Sequence, residues 1–503
     1  MLSRTAIASL LGLIVTLPLA AAEPLEVGLS GHGTLIRAAE VPAGRAAAPT
    51  LLVIGGLSGN DSSVASVRTA VRDFERTPRR RRAYRLLAIA LANPDGAPLE
   101  FPPTGVAYRD HPDSHALWRW IGVHAPDRVL IAGRDAAGLA AALSAAAVAE
   151  VGSIPASDVA DLGALRSLTP ADLEPSPAHR EIDRRRARSP LELAQELARH
   201  YGRDFRQPIY IDAIALIGQL RLGNLAEVRA LAEPFVNGSQ DSLAHPNSLV
   251  FAGHLIFGEL ARRTADPRYL ARVRAAAAFG FDRDGRPREA MPFNGGFSDS
   301  LFMGTAILAQ AGALTGERKY FDMAARHVAY MQKLVLRRDG LYRHHPGTDV
   351  AWGRGNAFPA LGFALSLSEF PRNDPDFAHL LGAYRHLMAT LLKYQDRDGM
   401  WRNVIDVPGA YAEYSATAMI GFAMQRGLAR GWLPARPYRA AVERAWQGIL
   451  TRTSSDGRLV NVCESTARAS TLEDYMHRAA ILGPDPRGGA MALLFATELA
   501  GLK

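Results

Sequence analysis

The chain has 503 residues, more than one ordinary core organises, so two domains are expected. Hydrophobic residues make up 48% and charged residues 21%, which excludes a disordered chain and predicts a globular one. The net charge of +8 comes from arginines scattered along the whole length. The one dense run, Arg79-Arg80-Arg81-Arg82, reads as a solvated loop between a helix and a strand, and with no interleaved aromatics it predicts no nucleic-acid partner.

Residues 1–22 read as a signal peptide: Arg4 is the positive head, residues 6–17 are apolar, and Ala20-Ala21-Ala22 is a small-residue cleavage site. A secreted or periplasmic protein is expected. No later stretch reaches the ~18 apolar residues that a membrane span needs, so no stable membrane insertion is expected after cleavage. Residues 23–151 form the first domain. Thr50 to Ile54 is a buried-strand run ending at Gly55-Gly56, residues 85–91 are a second strand stopped by Asn93-Pro94-Asp95-Gly96, and residues 128–132 are a third. Helices are expected over 114–123 and 136–149. Strands alternating with helices predict an α/β domain with a parallel, doubly covered sheet.

Residues 152–190, with several prolines and a charged run at 180–188, read as a linker. Residues 191–503 are helix-dominated, with predicted helices at 191–201, 212–222, 248–263, 299–313, 320–334, 357–369, 377–392, 414–427, 437–450 and 488–499. Their loops are rich in Gly, Asp and Pro, and paired helices with loops at one end predict an all-α (α/α)6 toroid. The single cysteine, Cys463, reads as a lone buried thiol, which leaves no disulfide within the chain and no zinc–thiolate cluster.

Two segments carry chemistry. Phe297-Ser298-Asp299-Ser300-Leu301-Phe302-Met303 places a carboxylate at the mouth of an apolar helix. Trp352-Gly353-Arg354-Gly355-Asn356 places an aromatic plate and a guanidinium in a glycine-flanked turn. An acid, a stacking surface and a fixed cation suit a pocket for an anionic sugar. Helix capping is the bland alternative for Asp299, and a loop ion pair for Arg354.

The first domain resembles zinc carboxypeptidases. Gly55-Gly56-Leu57-Ser58-Gly59-Asn60-Asp61 stands where that family has Gly-Gly-x-His-Gly-x-Glu, and Asn93-Pro94-Asp95-Gly96 matches its turn. Ser58 replaces one ligand histidine and Gly133 another, so a degenerate domain with no metal is expected.

Residues 191–503 are similar to glycoside hydrolase family 105, the unsaturated rhamnogalacturonyl hydrolases, and to family 88. The resemblance rests on the two segments above together with Gly340-Leu341-Tyr342-Arg343-His344, Asp398-Gly399-Met400-Trp401, Glu413-Tyr414-Ser415-Ala416-Thr417-Ala418-Met419 and Asp485-Pro486-Arg487-Gly488-Gly489-Ala490, in the family's order. It implies removal of a 4,5-unsaturated uronic acid from the non-reducing end of lyase-generated oligosaccharides, with no cofactor. Asp299 would be the catalytic acid, Arg354 would meet the uronate, Trp352 would stack on the sugar, His344 would line the pocket and Trp401 would form a wall. The family's second Asp falls on Ser248, beside Asn247, both expected near the substrate. That loss opens the alternative of an inactive carbohydrate-binding protein for acidic saccharides, unless a carboxylate such as Asp241 or Asp349 fills the place. A polysaccharide lyase or epimerase on the same toroid is a further alternative, with Tyr342, His344 and Arg354 as its candidate groups. Oligomeric state is open.

Overall fold

The computed structural model describes residues 24–502; the expected signal peptide lies outside them. The N-terminal part is a six-stranded sheet of β1 (Leu25–Leu29), β2 (Leu35–Val41), β3 (Thr50–Ile54), β4 (Arg85–Ile89), β5 (Arg128–Ala132) and β6 (Ala156–Val159). Its order is β1-β2-β4-β3-β5-β6. The four strands from β4 to β6 are parallel, as the alternating pattern predicts, and the β1–β2 hairpin adds an antiparallel edge that the reading missed.

Every residue of β3 is buried because both faces of the sheet are covered. Helix α1 (Ser62–Arg76) covers Leu51 and Val53. Helices α2 (Pro112–His124), α3 (Leu139–Ala145) and α4 (Pro177–Arg186) cover Leu52 and Ile54. The arginine run forms a single 3-10 turn, Arg79–Arg81, between α1 and β4.

The linker expectation for residues 152–190 is corrected. This stretch contains β6 and α4, and Arg185 is buried, donating to the carbonyls of Thr451 and Glu150. Its prolines start elements: Pro177 and Pro190 each occupy a helix first turn, where the missing N–H costs nothing. Asp61, at the carboxypeptidase-like motif, caps α1 by accepting from Ser63 N at 2.8 Å.

Six helical hairpins follow. Their pairs are α5 (Pro190–His200) with α6 (Tyr210–Arg221), and α7 (Leu225–Val236) with α8 (Ser248–Gly253) and α9 (Leu255–Thr264). Next come α10 (Pro267–Ala277) with α11 (Ser300–Met303) and α12 (Thr305–Thr315), and α13 (Arg318–Val335) with α14 (Gly353–Glu369). The last are α15 (Pro375–Leu392) with α16 (Tyr414–Ala429), and α17 (Ala435–Thr451) with α19 (Pro486–Leu499), the short α18 (Leu472–Met476) lying in the loop between them. Helices α6, α9, α12, α14, α16 and α19 touch in sequence and close an inner ring; their partners pack outside it. The inner helices are apolar on nearly all sides, as α14 and α16 illustrate, because each is enclosed by neighbours. The outer helices α7 and α10 were not among the helices named from the sequence.

The loops at one end carry β7 (Trp401–Arg402) paired with β8 (Ala412–Glu413), and β9 (Leu459–Cys463) paired with β10 (Ala480–Gly483). The N-terminal sheet packs onto this end. Glu26 on β1 takes two bonds from Arg402, at 2.8 and 2.9 Å, and one from Gly409 N at 2.9 Å.

Candidate active site

Asp299 opens α11 at the end of a tight turn. Gly295 and Gly296 both have positive φ, and Asn294 folds the turn by accepting from Gly296 N. Ser298 N donates to His344 O at 2.9 Å, which sets the Asp299 segment beside the 340–345 segment. Asn356 on α14 holds that second segment, accepting from Tyr342 N at 2.7 Å and donating to Tyr342 O at 2.9 Å. Helix α14 reaches α11 closely enough that a Cβ on Gly362 would lie 2.2 Å from Leu301 O.

The carboxylate of Asp299 makes no capping bond to α11. Its Oδ1 stands 3.6 Å from His344 Nε2, too far for a hydrogen bond. Both atoms are buried without a partner, and so are Ser298 Oγ and Arg354 Nε. Buried polar atoms are normally satisfied, so an unpartnered acid oxygen with three further orphans on neighbouring residues marks a place that solvent or ligand completes.

Burial pushes the Asp299 carboxyl up to about 7, against the opposing pull of Arg354, Arg478 and Arg487. Burial, with Arg478 next in effect, pushes His344 down to about 2, so its imidazole is neutral. The other face of that ring, Nδ1, lies 2.6 Å from Tyr475 OH. Tyr210 OH receives a bond from Arg487 Nε at 3.2 Å. An acid protonated near neutrality, a neutral imidazole and three guanidiniums together favour binding an anion and moving one proton.

The expected residues divide by position. Asp299, His344 and Arg354 come together. Arg354 is fully buried, with Nη1 bonded to Ser415 Oγ and Cys463 O and Nη2 to Ser465 O. The guanidinium expected to fork onto a uronate is enclosed by these three bonds. Trp352 likewise has no exposed surface. Arg354 and Arg478 each lie 4.8 Å from its ring, and its Nε1 donates to Asn403, so the expected stacking face is covered. Trp401 is buried in the toroid core with Nε1 bonded to Leu391 O.

Asn247 caps α8 by accepting from Val250 N, and Ser248 is half-buried in the first turn. Helix α8 packs on α11, so this pair adjoins the site. Asp241 is exposed, and Asp349 is exposed in a pair with Arg343, so neither carboxylate fills the missing place. The reading missed Tyr210, Tyr475 and Arg478. Arg487 lay inside a recognised turn, yet its side chain was not singled out.

Residues 243–503 match the model of Glycosyl Hydrolase Family 88, and the chain belongs to that family. It is 28% identical over 190 residues to an unsaturated rhamnogalacturonyl hydrolase of Bacillus subtilis, covering 36% of this chain and 52% of the relative. It is 26% identical over 181 residues to an unsaturated 3S-rhamnoglycuronyl hydrolase of Formosa agariphila, covering 32% and 48%. The chain thus spans about half the length of the curated relatives it matches. A Salmonella enterica structure described as a possible family 105 member superposes with a TM-score of 0.54 at 20% identity, over 64% of this chain and 94% of its own. A family 105 glycoside hydrolase from C. acetobutylicum gives 0.52 at 18%, over 62% and 99%. These two likenesses establish the toroidal fold and no more.

Proposed function

We propose that this chain is an exported glycoside hydrolase that removes a 4,5-unsaturated uronic acid from the non-reducing end of lyase-generated oligosaccharides. The observation that carries the reading is Asp299: a buried carboxyl, protonated up to about pH 7, facing a neutral histidine inside a ring of guanidiniums. The C4=C5 bond of such a sugar is a vinyl ether. Asp299 gives its proton to C4, and the positive charge is shared between C5 and the ring oxygen. Water adds at C5, and the ionised Asp299 takes the released proton. The hemiketal then opens, and the resulting hemiacetal at C1 releases the remaining saccharide. One carboxyl performs both proton transfers, so the spaced carboxylate pair of ordinary glycosidases is not needed.

His344 Nε2 is placed to orient the water, with Tyr475 holding the far side of the ring. Arg487 replaces Arg354 as the proposed uronate partner, since its side chain stays 16% exposed beside Tyr210. The N-terminal sheet is read as a carboxypeptidase-like layer whose former cleft residues now serve structure, as Asp61 does at α1.

Ser248 favours a second reading, an inactive binder of acidic saccharides, because no second carboxylate stands there. Incubation with unsaturated oligosaccharides made by pectin, ulvan and glycosaminoglycan lyases separates the two. Loss of ultraviolet absorbance by the wild type and not by Asp299→Asn supports hydration and names the substrate class. Binding without absorbance loss in every pool supports the second reading. Recovery of a chain beginning near residue 23 from the periplasm or medium tests export.

A further inference from the structure

The N-terminal domain reaches the site through one hairpin. In the β9–β10 ladder Val462 pairs with Ile481 and Val460 with Leu482, which leaves Asn461 as an extra, bulged residue. Asn461 has φ of +67°, and its side chain is turned away from the ladder towards the N-terminal domain, as bulges commonly achieve. There Arg119 of α2 donates from Nη1 to Asn461 Oδ1 at 2.6 Å and to Ala480 O at 2.9 Å, so one guanidinium grips both strands. Asn461 Nδ2 donates to Tyr108 OH at 3.0 Å, and the Tyr108 ring stacks on Tyr411 at 4.6 Å. Arg119 is 5% exposed, so these bonds are shielded from water.

The same hairpin holds the site on its other side. Cys463 O and Ser465 O take bonds from Arg354, and Ser465 O also takes one from Arg478 Nη1 at 2.7 Å. The segment joining β9 to β10 carries α18, with Tyr475 against His344 and Arg478 beside Trp352.

We propose that Arg119 is a positioning residue for the toroid's site: by clamping both strands of the hairpin, the N-terminal domain holds Tyr475 and Arg478 over Asp299. The kinetic part of this claim rests on the proposed function; the geometric part does not. The titratable and charged groups facing Asp299 are Arg354 from α14, Arg478 and Tyr475 from the hairpin segment, Arg487 from α19, Tyr210 from α6 and His344 from the loop before α14. Releasing the hairpin withdraws the Arg478 cation, which raises the Asp299 midpoint, and admits water, which lowers it. Burial is the largest influence on Asp299, so admission of water decides the sign, and its midpoint falls.

The test is carbon-13 NMR titration of the Asp299 carboxyl in the full chain, assigned against Asp299→Asn, with no substrate present. Arg119→Met and Asn461→Gly remove the clamp from opposite sides, glycine suiting the positive φ. Each is expected to lower the midpoint by about one pH unit and kcat by about tenfold, with part of both restored in Arg119→Lys. Glu40→Gln loosens the domain contact at Arg397, away from the hairpin, and is expected to change neither. An Asp299 midpoint unchanged in a folded Asn461→Gly protein overturns the proposal, as does an equal shift in Glu40→Gln. A wild type that hydrates no pool refutes the catalytic reading, while the titration still decides the positioning claim.

Discussion

At Asp299 two effects compete. Burial favours the protonated carboxyl and three guanidiniums favour the carboxylate; burial prevails and leaves the group near 7. The consequence for stability follows from linkage, taking about 3.9 for the unfolded chain. Below about pH 4 the group is protonated in both states and carries no penalty. Between about pH 4 and 7 the unfolded chain ionises first, so native stability falls, and above 7 the whole penalty, on the order of 4 kcal/mol, is present. Asp299→Asn should therefore raise the melting temperature at pH 8 and leave it nearly unchanged at pH 4, while abolishing vinyl-ether hydration; calorimetry at both pH values checks this. The wild-type rate should decline above about pH 7 as the acid ionises. His344, already neutral, should add no limb between about pH 5 and 9. Tyr475→Phe removes the hydroxyl that orients His344 and should lower kcat about tenfold with little change in melting temperature, which steady-state kinetics beside a thermal melt will show.

The elements explain why the two chemical motifs meet. Helix α14 presses its small residues against its neighbours. A Cβ on Gly353 would lie 2.3 Å from Arg402 O, and one on Gly362 would meet Leu301 O. Gly362→Ala should force α14 from α11, destabilising the protein by about 2 kcal/mol and reducing activity further than that loss explains; denaturant titration and kinetics on the same sample measure both. Most inner helices were legible because an apolar run of helical length has few other fates. Breaks within them were not. Residues 248–263 and 299–313 each divide into a short and a longer helix, at His254 and Gly304. The β1–β2 hairpin and β6 were missed because they lie at the edges of the sheet with exposed or half-buried positions, and lack the continuous apolar run of β3, β4 and β5.

Across the whole molecule, the sheet and the toroid are joined by specific polar contacts. Glu26 pairs with Arg402 and also satisfies Gly409 N, and a Cβ on Gly409 would lie 2.6 Å from Leu35. Glu26→Gln removes the charge from a half-buried pair and should cost about 2 kcal/mol. If the two parts unfold as one unit, a single transition should shift intact. If only the seam is weakened, tryptophan fluorescence and circular dichroism should separate in urea.

The catalytic candidate, the toroid and the family were legible in residues 191–503 because a carboxylate at a helix mouth, a Trp-Gly-Arg turn and the order of the motifs are local facts. The occupation of each side chain was not. Arg354 and Trp352 were expected to face a sugar, but carbonyls at 463 and 465 and the side chains of Arg478 and Asn403 enclose them. Those partners lie 51 to 126 residues away in the chain, and only the closed ring brings them within reach. Residues 152–190 were expected to link two domains and instead help to complete the first, because burial of Arg185 against the toroid depends on contacts that no local pattern encodes.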